Sequence, residues 1–280
     1  MTQNPDLHAL LQARYGSRAP TAASLETVDH DPVIRTLLGH RSVRHFTTEA
    51  LPPHALEWMV AAAQSASTSS NLQTWSVVAV EDPAVKDRLA RIAGDQRHIR
   101  ECALFLVWVA DLSRLEAVGE RRQLARDGLD YMELLMVGVI DAALASQNAA
   151  VAAEAMGLGI NYIGGMRNQP EQVAAELGLP PKCVAVFGMC VGHPDPARPA
   201  SIKPRLPMSA VLHRERYDAT AHGAPVDQYV DTMATFYAAQ QMKTNGDWAE
   251  HSLNRVRGPQ ALNGRDRLEE AMKARGFLAR

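Results

Sequence analysis

Between Gly39 and Phe46 the chain reads Gly-His-Arg-Ser-Val-Arg-His-Phe, with basic and hydroxyl side chains spaced around apolar Val43. In an extended segment alternate side chains share a face, so Ser42 and Arg44 point together, with His40 just before them. A hydroxyl beside a guanidinium is a donor set suited to phosphate. Local chemistry alone equally allows a basic surface turn. No Asp or Glu stands among His40 and His45, so a metal site is not expected. Further positive charge lies in loops beside small residues: Lys203 and Arg205 flank Pro204, and Arg167 follows Gly164-Gly165. Proline stiffens the first of these, and extended geometry presents both basic side chains to one side. Two glycines at a strand end let backbone approach something flat or adopt positive φ, an ordinary tight turn being the alternative.

The elements that must position these residues follow from periodicity. Leu7, Leu10 and Leu11 have helical spacing, and a linker containing Gly16 and Pro20 follows. Val33, Ile34, Leu37 and Leu38 form a second amphipathic helix ending at Gly39. Pro52-Pro53 opens a helix with a stripe of Leu56, Met59, Val60 and Ala63. Residues 73–80 read as a strand, 82–92 as a helix, and 94–96 as a turn. The continuous apolar run 103–109 predicts a strand buried on both faces. Residues 130–156 give the longest helix, apolar on most sides, with Asp141, Gln147 and Asn148 as polar exceptions. Gly157-Leu158-Gly159 stops that helix; because it precedes a strand it is not a dinucleotide fingerprint. A short strand at 160–163, a helix at 172–177 and a buried strand at 183–191 complete an α/β or α+β domain with about four strands under helices. After Pro194 the chain is proline-rich, and polar helices return at 225–242 and 266–275, expected to lie across the main body or a partner subunit.

A length of 280 residues, a net charge of −2 and a pI of about 6.6 argue against general nucleic-acid or membrane-surface binding. Cys102, Cys183 and Cys190 are widely spaced and odd in number, which fits a reducing compartment. No signal peptide and no long membrane-spanning apolar run are read, so a cytoplasmic protein is expected. GxSxG, HExxH and GxxxxGK[ST] patterns are absent from the sequence.

Taken in order, Gly39 to Phe46, Ser67 to Gln73, Gly94 to Gln96, Gly157 to Gly159 with Tyr162 to Gly165, Phe187-Gly188 through Gly192, and Lys203 to Pro207 resemble the flavin-dependent NAD(P)H nitroreductase family. The likeness is to its oxygen-insensitive nitroreductase and flavin reductase branch, and it runs from about residue 33 to the C-terminus. It implies an α+β, three-layer fold with a mixed central sheet covered by helices, in an intertwined homodimer. Residues 1–30 would be an N-terminal extension, and 31–280 one FMN-binding domain with a C-terminal excursion from about 195.

The resemblance implies FMN held by His40, Arg41, Ser42 and Arg44, with Lys203 and Arg205 meeting the phosphate and the flavin's polar edge. Thr68, Ser69 and Ser70 would come from the other subunit. Gln96 would bond the ribityl chain or ring edge, and Tyr162, Ile163, Gly164 and Gly165 would lie along one flavin face. Asn71, Lys243 and Arg265 would face substrate. No catalytic acid or base is implied, because the flavin carries the redox chemistry. NADPH or NADH would deliver hydride, and a nitroaromatic, quinone or free flavin would take two electrons in ping-pong turnover. A flavin store or sensor without turnover, and another FMN enzyme such as a dehalogenase, are the alternatives. Relatives carry an arginine for the NADPH 2′-phosphate where this chain reads Gln240 to Asn245; Lys243 is a point charge there, so weak NADPH/NADH discrimination is expected. Asn71 stands where a close relative places an aromatic, which predicts a more polar pocket.

Overall fold

A computed structural model describes residues 7–16 and 32–278; the linker expected before Pro32 lies outside the described residues. Its helices in chain order are α1 (Leu7–Tyr15), α2 (Pro32–Gly39), α3 (Ala55–Gln64), α4 (Pro83–Ile92), α5 (Arg97–Glu101) and α6 (Ser113–Arg122). They continue with α7 (Met132–Ala155), α8 (Pro170–Leu177), α9 (Gly223–Ala239), α10 (Trp248–Asn254) and α11 (Leu268–Ala274). The strands are β1 (Trp75–Val80), β2 (Leu104–Asp111), β3 (Gly159–Ile163) and β4 (Cys183–Gly192). The chain divides into a helical unit, Met1–Arg41 with Ser201–Leu262, and a sheet unit, Ser42–Ala200 with Asn263–Arg280.

In the sheet unit the strand order is β1-β2-β4-β3, every neighbouring pair antiparallel. Outside these strands, an isolated parallel bridge joins Ser42 to Ile160 at the outer edge of β3 and an antiparallel one joins Phe46 to Pro194. All eight residues of β2 are buried, as its unbroken apolar run requires. Phe105 and Val107 face one cluster with Leu89 of α4, Ile99 of α5 and Val173 of α8. Leu104, Leu106 and Trp108 face the other, with Met59 of α3 and Ala145 and Ala149 of α7. The side-chain alternation of one strand thus fixes three layers, helices on both faces of the sheet. Capping agrees with the sequence: Asp82 accepts from the Ala84 and Val85 N–H groups ahead of Pro83, and Gly178 at φ 64° ends α8.

Helix α7 is long and apolar enough to cross a membrane by composition. Its Asp141, Ala142, Ala145, Ser146 and Ala149 face is nevertheless packed inside the unit. On the opposite side Met132, Met136, Ile140 and Leu144 recur every four residues and are each 44–52% exposed.

Several boundaries differ from expectation. Helix α3 starts at Ala55, because His54 adopts φ 62°, so Pro52-Pro53 precedes the helix rather than opening it. Gln73 is left-handed at φ 53° and β1 begins at Trp75. Helix α2 buries none of its residues fully, and Val33 and Leu37 are exposed. Helices α5, α6 and α10 are additional to those read from periodicity; α5 and α10 are too short for a clear period.

The helical unit has its own small core of Tyr229, Met233 and Tyr237, with Trp248 edge-on to Tyr229 at 5.0 Å. Asp247 and Glu250 form a capping box that starts α10. Helix α1 belongs to this unit: Leu7, Leu10 and Leu11 are buried, and Leu10 reaches Gly39 at the end of α2.

Candidate flavin site

In the sheet unit the chemistry-bearing residues gather around β3. The Val43 N–H donates to the Ile160 carbonyl at 2.8 Å, which lays the 42–44 segment along the strand. Val43 is buried while Ser42 is half-buried and Arg44 exposed, so the alternation read from sequence holds. Gly159 permits this approach, since a Cβ there would sit 2.6 Å from Val43 Cγ2. Among the described residues Arg44 forms no ion pair, whereas Arg88, Arg91, Arg97, Arg100, Arg126 and Arg198 all do. Its surroundings are basic: Arg97 contacts His45 Nδ1 at 3.2 Å, and His98 feels Arg44, His45 and Arg97 against the single carboxylate of Glu101. Burial first, then Arg44, hold His98 below its ordinary value of 6.5, and its Nε2 is buried without a hydrogen-bond partner among the described residues. A guanidinium not paired to a carboxylate among the described residues, in a cluster of like charge, fits a dianionic phosphate.

At the far end of β3 the chain enters a single 3₁₀ turn, Gly164–Arg167. Gly165 packs on the 93–96 turn: a Cβ there would lie 2.5 Å from the Ala93 carbonyl oxygen and 2.9 Å from Gln96 Nε2. Gln96 in turn donates to Ala93 O at 2.9 Å, so Gln96 is held at the glycine pair. A Cβ on Gly164 would meet only the movable end of Arg167, at 3.3 Å. Gly165 is therefore explained by protein packing, while Gly164 retains the reason given by the resemblance. Tyr162 turns into the fold, donating to Ser146 Oγ of α7 at 3.2 Å and stacking edge-on to Phe187; burial pushes its phenol up to about 12. Ile163 is buried in the core, so its backbone is what β3 offers to a ligand. Arg265 donates to Asn168 Oδ1 at 2.9 Å, directly after the 164–167 turn, and Arg167 is lowered by burial and then by Arg265's charge.

Thr68, Ser69 and Ser70 sit on a loop organised by Asp141, a fully buried carboxylate of α7. Asp141 Oδ2 accepts from Thr68 Oγ1 at 2.6 Å, Thr74 N–H at 3.0 Å and Thr74 Oγ1 at 2.9 Å. Oδ1 accepts from the Ser69 N–H at 3.2 Å. Between these anchors Ser70, Asn71 and Gln73 are all left-handed, at φ 48°, 55° and 53°. Strain of this kind persists only where the surroundings over-determine it. Sequence reading registered Asp141 only as a polar exception. The available signal was a lone carboxylate in an apolar helix, which needs donors, and the Ser/Thr-rich stretch Ser67 to Ser70.

In the helical unit His40 and Arg41 follow α2, while Lys203 and Arg205 precede α9. Arg41 is exposed, and Lys243 lies exposed between α9 and α10. Arg205 lines a small polar pocket with Tyr15, Gln228 and Asp231. The residues expected to hold flavin therefore fall on both units.

Antiparallel β-sheet, helices on both faces and a phosphate-type donor cluster at the outer edge define the class of fold. Residues 37–193 match the Nitroreductase family and 203–280 match the Nitroreductase family C-terminal domain, and the chain belongs to that family. It is 38% identical over 251 residues to the FMN reductase (NADPH) of Bacillus subtilis, spanning 87% of this chain and 97% of that protein. It is 38% identical to the oxygen-insensitive NADPH nitroreductase of Salmonella typhimurium, spanning 79% and 89%. Among solved structures it is similar to the NfrA1 nitroreductase of Bacillus subtilis, with a TM-score of 0.82, 36% identity, and 89% and 100% of the two chains covered.

Proposed function

We infer that this chain is an FMN-dependent NAD(P)H oxidoreductase that reduces nitroaromatics, quinones or free flavin in two-electron steps. The observation that carries the reading is Arg44, without a carboxylate partner among the described residues, on an edge segment bonded to β3 ahead of the Gly164 turn. Bound FMN would supply the hydride-accepting redox chemistry. The chain's own residues would supply binding and orientation. Ser42, Arg44, His40, Arg41, Lys203 and Arg205 would have the phosphate and polar-edge roles that the family resemblance implies. Gln96 and the backbone of 162–165 would seat the ring, and the absence of a side chain at Gly164 would leave that backbone open to it. Thr68, Ser69 and Ser70 would be contributed by a second copy, on the loop that Asp141 shapes. Asn71, Arg265 and Lys243 would face the nicotinamide nucleotide or the acceptor.

A homodimer is part of the reading, supported by the exposed α7 stripe of Met132, Met136, Ile140 and Leu144. So is a cytoplasmic setting, supported by three free buried cysteines. The named relatives use NADPH. Lys243 is the only basic residue from 240 to 247, which favours a modest preference for NADPH over NADH.

The test is the absorption spectrum of the purified protein and its steady NADPH oxidation with a quinone, in wild type and Arg44→Ala. The expected result is one FMN per subunit, turnover in the wild type, and FMN affinity in the variant weakened by about 1.5–3 kcal/mol. Bound flavin without turnover would leave a store or sensor; wild-type FMN affinity in Arg44→Ala would remove Arg44 from the site.

A further inference from the structure

The family match begins at residue 37, and α1 lies ahead of it. Yet Arg14, in the last turn of α1, is only 5% exposed, although a guanidinium is rarely buried to that degree. Its fork reaches three backbone carbonyls. Nη2 donates to the carbonyls of Leu38 and His40, both at 2.9 Å, and Nη1 donates to the carbonyl of Lys203 at 3.1 Å. The Arg14 carbonyl in turn accepts the Arg205 N–H at 3.0 Å. One residue from outside the matched region is therefore bonded to both basic elements of the helical unit, the His40–Arg41 segment and the Lys203–Arg205 segment. These elements are far apart in sequence, and Leu10 and Leu11 seat the helix that brings Arg14 to them.

We propose that Arg14 is a positioning residue for the phosphate end of the cofactor. It sets the spacing of the 40–41 and 203–205 backbones before ligand arrives, so that their side chains are already in one arrangement. This rests on the reading of the chain as an FMN protein. Three carbonyls in fixed directions match a planar, five-donor fork; a lysine, with one compact charge, cannot span them in the same way. Pre-arranged loops lose less freedom on binding, and that saving appears as affinity for the phosphate.

The experiment measures flavin released on dilution of full-length holoprotein, for FMN and for riboflavin exchanged in its place. Wild type, Arg14→Lys and Arg14→Met are compared. The expected result is an FMN Kd raised about ten- to a hundredfold in both variants, with the riboflavin Kd unchanged. Wild-type FMN affinity in either variant, including rescue by lysine, would overturn the proposal. Equal loss of FMN and riboflavin would show general damage to the fold and would overturn it as well. A wild type that holds riboflavin as tightly as FMN would instead sink the phosphate reading of the 40–44 and 203–205 segments, a different failure seen without any variant. Should the variants not fold, hydrogen exchange on the wild-type protein decides. The Arg205 amide, which donates to the Arg14 carbonyl, should open together with α1, and independent opening refutes the clamp.

Discussion

Replacing Asp141 with asparagine should cost the protein more than any other isosteric change near the candidate site. The carboxylate accepts four hydrogen bonds, three on Oδ2 and one on Oδ1. An amide has one acceptor oxygen. Placed to keep the three bonds, it turns its NH₂ toward the Ser69 N–H, donor against donor. One charge-assisted bond is then lost and three become neutral, while the desolvation of a buried charge is relieved; the balance is about 2–4 kcal/mol of destabilisation. The loop then loses the anchor opposing its three left-handed residues, each of which costs about 1 kcal/mol or more. Urea unfolding of Asp141→Asn at fixed protomer concentration measures the first effect. Limited proteolysis measures the second, with cleavage expected between residues 68 and 74. Stability within about 0.5 kcal/mol of wild type, with the loop still resistant, would refute the account of Asp141 as the loop's anchor.

The two glycines after β3 should separate packing from ligand contact. Gly165→Ala forces a Cβ onto the Ala93 carbonyl and should destabilise by about 1–3 kcal/mol in thermal unfolding, whereas Gly164→Ala should leave stability intact and lower only FMN affinity. His98 has a folded pKa below its unfolded one, so its contribution is complete above pH 6.5 and is lost as pH falls through the window beneath. Arg44→Ala should raise the His98 pKa in an NMR titration without restoring 6.5, because burial is the larger cause; an unchanged or lower value counts against their proximity. Lys243→Ala should reduce a kcat/KM preference for NADPH of roughly tenfold toward parity, and a preference above about a hundredfold that survives it would point to Arg265 or Arg267. Ile140→Glu, in the middle of the exposed stripe, should shift the sedimentation of the protein from dimer toward monomer; an unchanged dimer would place the interface elsewhere.

Periodicity gave the sheet and the long helix because their signals are strong. The unbroken apolar run at 104–109 and the apolar stretch of α7 each admit one arrangement. Where local chemistry competes with a period, boundaries moved: the left-handed residues His54 and Gln73 carry no obvious mark in the sequence. The alternation of Ser42, Val43 and Arg44 was readable because Val43 is the only one of the three that a core accepts. Asp141 and Arg14 were not readable as organisers, since their partners are backbone groups and hydroxyls distant in sequence. A polar side chain announces a need for partners but not where they are. Gly165 looked like a ligand contact because the Ala93 carbonyl that excludes its Cβ belongs to another turn.

The bridge between Ser42 and Ile160 also dictates when the edge of the sheet can exist. Ser42 leaves the ribosome long before Ile160, and β3 itself is held by β4, which emerges later still. The 42–46 segment must therefore wait without its ladder through the synthesis of most of the sheet unit. A topology of this kind puts loop-closure entropy ahead of any reward from the site. A phosphate ligand cannot recruit a half-made chain here. Its stabilisation falls on molecules that have already closed the edge, so it should slow unfolding and leave the folding rate nearly untouched.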